Sequence, residues 1–325
     1  MMATHRIGVD VGKAELWISI DGETAQPCPN ELPAIRRWVR GLEGPADFAL
    51  EATNDYHLAL ALEAHHQGHR VYLINGYRLN RYRESIGGRA KTDAGDARLL
   101  VRYLQREQDE LRPWTPPPEG YRTLQKLLRQ RATLVRARVM LEQSLRGVPE
   151  LQSNLKQLLQ EIGRLDAVLQ RVLRETVGRA GWSDHARRCQ QIEGVGPLTA
   201  AGLTMAFQRG AFRSGDAFVA FLGLDVRIRD SGTKRGQRKL TKQGDPELRR
   251  LLYLAAMQAK SKPAWNDYYQ RCLGRGLATT QALNALARKL ARVAFALMNN
   301  QTDYQPKIPC GETQNLLQVS EPPQV

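Results

Sequence analysis

Four carboxylates and one serine stand where this chain could cut a phosphodiester. Asp10 closes the apolar alternation RIGVD, and Glu51 closes the run DFALE. Asp93 and Asp96 sit at i and i+3 in TDAGDARLL, so their side chains share a face on the first turn of a helix. Hard oxygen ligands from separate elements suit one or two Mg²⁺ ions, and a metal pair about 3.5–4 Å apart steadies both the attacking and the leaving oxygen at a phosphate. Simpler roles exist for single acids: Asp10 can end a turn and Asp93 can cap a helix. Glu51 is the most informative, because a carboxylate ending an apolar run is costly to desolvate unpaired. Ser231 lies in DVRIRDSGTKRGQRKLTKQGDPELRR, residues 225–250, which carry nine Lys/Arg, four acids, three glycines and no aromatic residue. That stretch has almost nothing apolar to bury and is suited to closing around a polyanion. Its Arg227, Arg229, Lys234, Arg235, Arg238, Lys239, Lys242 and Arg249 are the expected nucleic-acid contacts.

A serine hydroxyl is a weak nucleophile at neutral pH and needs a base or a metal beside it. The six histidines, His5, His57, His65, His66, His69 and His185, are all distant from Ser231 in sequence, so the spacing suggests no Ser-His-Asp hydrolase. Metal-bound carboxylates brought over in space are the sensible activator; otherwise Ser231 only caps a turn. Arg227, Arg229 and Arg235 are available to steady charge developing on a phosphate, or to clamp the backbone.

Charge is distributed in keeping with that chemistry. The net charge is +15 over 325 residues, but residues 1–110 hold 14 Lys/Arg against 16 Asp/Glu, leaving 34 against 17 for the remainder. Polyanion binding is therefore expected after residue 110. Four scattered cysteines without C-x-x-C spacing fit neither a zinc site nor a disulfide framework. No apolar run reaches the roughly 18 residues of a membrane span, and MMATHRIGVD has no signal-peptide character. A bacterial cytoplasmic, nucleoid-associated location is expected, with no membrane partner.

The elements that must position these groups follow from periodicity. The opening RIGVDVGKAELWISIDG reads as a β-hairpin, followed by a helix over 32–42, a strand over 47–50 ending at Glu51, a helix over 55–67, a strand over 70–74 and a helix from Thr92. Such alternation indicates a mixed α/β domain. WTPPPEG, residues 114–120, is a linker, since consecutive prolines cannot continue a helix. Two long helices then meet near Gly147–Pro149, and the second places Leu151, Leu155, Leu158, Ile162, Leu165, Leu169 and Val172 in a coiled-coil-like seam. A spacer arm and a dimerisation element both fit that pattern. IEGVGPLTA either forms a phosphate-binding helical hairpin or simply turns between helices. Helices over 217–224, 248–260 and 278–298 complete a helical core, and the tail from Gln301 is expected to be disordered.

With these segments together, the chain resembles the DEDD-type insertion-sequence transposases, relatives of the Piv DNA invertases and of bridge-RNA-guided recombinases. The resemblance runs from about His5 to Met298 and is carried by GVDVGK, ALEATNDY, KTDAGDARLL, IEGVGPLTA, AFLGLDVRIRDSGTKRG and LTKQGDPELRRLLYLAA. It implies an α/β plus all-α chain: a RuvC-like (RNase H-type) mixed-sheet domain over 1–112, a linker and coiled-coil arm over 113–180, a helical transposase domain over 181–300 and a tail over 301–325. It further implies that Asp10, Glu51, Asp93 and Asp96 bind Mg²⁺ and are catalytic, and that Ser231 attacks DNA to give a covalent phosphoserine link. A homodimer assembling to a tetramer on DNA, and a guide (bridge) RNA encoded by the element, are implied as well. Thr241 in LTKQGD stands where the family often has serine. The competing readings are a RuvC-like nuclease using activated water and a non-catalytic nucleic-acid binder.

Overall fold

The computed structural model describes residues 4–52, 54–87, 92–227 and 238–306. Two compact units divide within the proline linker, residues 1–116 and 117–325.

The first unit is a five-stranded mixed sheet with helices on both faces. Its elements are β1 (His5–Val11), β2 (Glu15–Ile20), β3 (Gln26–Pro29), α1 (Leu32–Arg40), β4 (Ala46–Glu51), α2 (Leu58–His66), β5 (Arg70–Ile74), α3 (Gly76–Ser85) and α4 (Asp93–Glu107). The strand order is β3-β2-β1-β4-β5. β1–β2 and β2–β3 pair antiparallel, whereas β1–β4 and β4–β5 are parallel. Strand alternation sorts the side chains. Ile7, Val9, Phe48, Leu50 and Val71 pack with Ile35, Val39, Leu60 and Ala64 of α1 and α2. Ala49, Tyr72 and Ile74 face the other way, onto Leu79 of α3 and Leu100 and Leu104 of α4. Gly8 belongs to that second face, where a Cβ would run into the Ala97 carbonyl and come within 2.7 Å of the Val101 nitrogen. Glycine there is what lets α4 lie directly on β1.

Helices make up nearly all of the second unit. α5 (Tyr121–Ser144) and α6 (Gln152–Arg179) form a long hairpin, turned at Gly147 with φ of +87°. Arg131 pairs with Asp166 at 2.7 Å across that hairpin. α7 (Ser183–Gln190), α8 (Pro197–Gln208) and α9 (Gly215–Phe221) follow. A two-strand hairpin, β6 (Val226–Arg227) with β7 (Lys239–Leu240), then leads to α10 (Pro246–Ala259), α11 (Pro263–Gly274) and α12 (Thr279–Asn300). α12 is the central rod, burying Leu283, Leu286, Leu290, Ala294 and Met298 among the other helices. The base of the arm shares this core through Leu124, Leu128, Leu173 and Val177.

Two expectations change, and one left open gains detail. The leucine seam is two stripes: Leu155 is buried and Ile162 and Leu169 are half-buried, while Leu151, Leu158 and Leu165 are 40–50% exposed. The start of the tail is docked, with Tyr304 stacked on Trp265 at 6.3 Å and its backbone N–H donating to Gln191. Residues 307–325 lie outside the described region. The IEGVGP turn is built into the core: Glu193 accepts from the Trp265 indole at 3.0 Å, and Gly194 lies against the backbone of α10 near Ala255 and Ala259. Among the described residues no helix is long and apolar enough to cross a membrane.

Candidate functional site

Asp10 and Glu51 stand one step beyond the Val9–Leu50 pair, at the carboxyl ends of the adjacent parallel strands β1 and β4. Their positions alternate with Gly8 and Ala49, so both side chains project toward the face covered by α3 and α4. Carboxyl ends of parallel strands are where open α/β sheets bind ligands. Glu51 has its space through Gly76, the first residue of α3, because any Cβ at that position would overlap the Glu51 Oε1.

Asp93 and Asp96 open α4, behind the Thr92 cap, whose hydroxyl accepts from the Gly95 N–H at 3.1 Å. The helix N-terminus favours negative charge at both. The two acids differ sharply in setting. Asp93 is exposed, whereas Asp96 is buried and receives the guanidinium of Arg83 at 2.6 Å. Arg83 is itself buried, on α3, and also donates to Asn80 at 3.0 Å. In donor type the four acids fit a hard divalent cation. In position they are only partly gathered: among the described residues no three His, Cys, Asp or Glu side chains converge as ligands of one ion. Asp96 is satisfied by arginine instead.

In the second unit the described ends of the basic stretch pair as two short antiparallel strands over a tightly made base. Val226 pairs with Leu240 and Arg227 with Lys239. Below them the Thr241 N–H donates to the Asp225 carbonyl at 3.0 Å, and the Thr241 hydroxyl donates to the Asp225 carboxylate. Lys242, with φ of +57°, donates its N–H to the Gly223 carbonyl at 3.2 Å. Gly223 and Gly244 pass so closely that a Cβ on Gly223 would come within 2.6 Å of the Gly244 nitrogen. Arg249 is spent on this base, donating to the Gly244 carbonyl at 2.6 Å, and burial pulls its guanidinium below the usual arginine range. Asp245 caps α10 by accepting from the Glu247 N–H and pairs with Arg129 of α5 at 3.0 Å. Arg227, Arg238, Lys239 and Lys242 line the walls above the base. Ser231, Arg229, Lys234 and Arg235 lie outside the described residues.

Comparison with known proteins draws the two halves together. A transposase model of the DEDD IS110 type matches residues 7–153, and the model "Transposase IS116/IS110/IS902 family" matches residues 186–270. The chain belongs to the IS110/IS116 transposase family. The pilin gene-inverting protein of Moraxella bovis is 28% identical to this transposase over 268 residues, covering 80% of this chain and 82% of that one. A probable family 20 transposase of Pseudomonas aeruginosa is 27% identical, with 94% of this chain and 100% of the relative aligned. An uncharacterized 44.8 kDa protein of insertion element IS116 from Streptomyces clavuligerus is 25% identical over 94% and 98% of the two chains. As a transposase the chain acts on DNA, and its DEDD class implies dependence on a divalent metal.

Three positions in this transposase were not singled out from sequence. Gly76 stands in an Asn75-Gly76 turn pair that says nothing of Glu51, and Arg83 is one of three arginines in RLNRYRES. Only the buried contact to Asp96 distinguishes it. Asp225 reads as one more acid of the basic stretch until Thr241 is found bonded to it.

Proposed function

We propose that this transposase is a Mg²⁺-dependent serine recombinase that breaks and rejoins DNA through a covalent phosphoserine at Ser231. The first unit is read as a RuvC-like, RNase H-type domain. What carries this reading is the placement of Asp10 and Glu51 side by side at strand ends, on the face crossed by the helix bearing Asp93 and Asp96. Asp10, Glu51, Asp93 and Asp96 would hold the metal, which when bound offsets charge at a scissile phosphate. Arg83 holds Asp96 until the ligand set assembles, and Gly76 keeps room for the Glu51 carboxylate. Ser231 attacks phosphorus and the 3′-oxygen departs, so the phosphodiester energy is kept in the protein–DNA bond for rejoining. The strand pair locked by Asp225 and Thr241 flanks Ser231 in sequence, and its Arg227, Arg238, Lys239 and Lys242 would grip phosphates beside the scissile one.

The assembly follows the same reading. The exposed stripe of Leu151, Leu158 and Leu165 on α6 supports pairing of two arms in a coiled coil, with dimers joining to a tetramer on DNA. A guide RNA encoded by the element is the proposed source of site choice; it rests on family resemblance and on the basic balance after residue 110. A nucleoid-associated, cytoplasmic protein is the corresponding setting. A labelled junction substrate tests the core of this reading. Wild type with Mg²⁺ should give a detergent-resistant protein–DNA adduct, and both Asp10→Asn and Ser231→Ala should give none. Cutting by Ser231→Ala at near wild-type level would transfer the chemistry to an activated water.

A further inference from the structure

A cleft of about 1080 Å³ opens between the β6–β7 hairpin and the first half of α12. Five cations line it: Arg227, Arg238, Lys239 and Lys242 from the hairpin side, and Arg288 from α12. Among the described residues no acidic side chain lines it. Five like charges around one concavity repel each other and concentrate anions there. Arg288 sharpens the point, because its Nε is buried without a hydrogen-bond partner among the described residues. A buried donor left unpaired is costly unless a ligand completes it.

The α12 wall adds a different chemistry. Gln281, Asn284 and Arg288 follow at i, i+3 and i+7, one stripe of the helix facing the cleft. The Gln281 carbonyl already accepts from the Ala278 N–H at 3.0 Å, and the Asn284 amide already donates to the Thr280 carbonyl at 2.8 Å. Gln281 therefore offers its amide N–H groups to the cleft and Asn284 its carbonyl oxygen, a donor and an acceptor one turn apart. Cations on one wall and a donor–acceptor pair on the other match a strand whose phosphates face the hairpin and whose base edges face α12. Among the described residues no aromatic side chain lines the cleft, so bases would be held by their edges, not by stacking. A stiff duplex, with its Watson–Crick edges occupied in pairing, cannot enter a concavity of this size.

We propose that this cleft binds an unpaired DNA strand, with Arg288 taking a phosphate and Gln281 and Asn284 reading base edges. The choice of DNA rests on the recombinase reading above; the binding itself does not require Ser231 chemistry. Fluorescence anisotropy on the full chain without divalent metal tests it, using a short labelled single strand, the matching duplex and the matching RNA. Arg288→Ala should weaken single-strand DNA binding about tenfold. It should also flatten the log–log salt slope by about 0.7 while sparing duplex binding. Arg288→Lys should keep the slope, and equal melting temperatures exclude misfolding. Gln281→Ala with Asn284→Ala should erase preference among homopolymeric strands and leave the slope alone. Equal losses on duplex and single strand overturn the assignment, as does unchanged single-strand binding in Arg288→Ala. Tighter binding of RNA that Arg288→Ala abolishes also overturns it. Ser231→Ala should bind the strand as wild type does, so failure of the cleft and failure of the serine reading are told apart.

Discussion

Arg83 donates to Asp96 at 2.6 Å, and the side chains are only 11% and 3% exposed. An ion pair this far from water is costly to break from one side, because the remaining charge has no solvent to turn to. Arg83→Gln should therefore destabilise the metal-free protein by about 3–5 kcal/mol. Since Asp96 is also a proposed metal ligand, Mg²⁺ should restore part of that loss and raise the melting temperature of Arg83→Gln more than that of wild type. Differential scanning fluorimetry with and without Mg²⁺ reads both effects; equal metal responses would separate Asp96 from the metal.

Gly8 and Gly76 make opposite predictions. At Gly8 a methyl meets the backbone of α4, which cannot step aside without leaving the sheet, so Gly8→Ala should fail to fold. At Gly76 the methyl meets the far end of Glu51, a flexible side chain, and alanine favours the helix by about 1 kcal/mol. Gly76→Ala should keep its melting temperature yet lose adduct formation, because the carboxylate has been pushed from its place.

Much of this was legible in the chain because local and tertiary preferences agree. The RIGVD and ELWISI alternations form the hairpin, Arg70–Ile74 is β5, and Thr92 caps α4. Where they disagree, the sequence is silent. β3 carries two prolines and survives only as a short edge strand. α3 is mostly polar and buries just Leu79 and Arg83, so its apolar face is too thin to register, and with it went the partner of Asp96. In the arm, heptad spacing marks every leucine alike; only the position of α5 separates Leu155 from the exposed Leu158 and Leu165.

The base of the serine hairpin offers a third test. Thr241→Val removes the hydroxyl bonded to Asp225 at nearly constant volume and leaves a half-buried carboxylate short of a partner, at about 1–3 kcal/mol. Thr241→Ser keeps the bond. Adduct yield should fall in the valine variant and return in the serine variant.

His69 gives the first unit an acid limit. Burial holds its imidazole below the ordinary histidine range, and its Nδ1 accepts from the Ala46 N–H at 3.2 Å, which requires the neutral ring. The unfolded chain thus binds a proton here before the folded one does, so stability present above the unfolded value of about 6.5 falls as pH drops below it. Thermal melts at neutral and mildly acidic pH should show a steeper loss for wild type than for His69→Gln.

For the arm, Leu158→Glu with Leu165→Glu puts charge on the exposed stripe of α6 without touching Leu155. Light scattering should show a smaller species than wild type, with an unchanged melting temperature for the helical core.

The phosphoserine is the centre of the account, and mass spectrometry of the trapped complex tests it most directly. Wild type is incubated with Mg²⁺ and a nicked junction, then digested with nuclease and protease. The account predicts a nucleotide-modified peptide whose fragments place the added phosphate on Ser231. The same modification on another residue, or cleaved DNA with no modified peptide, would contradict it.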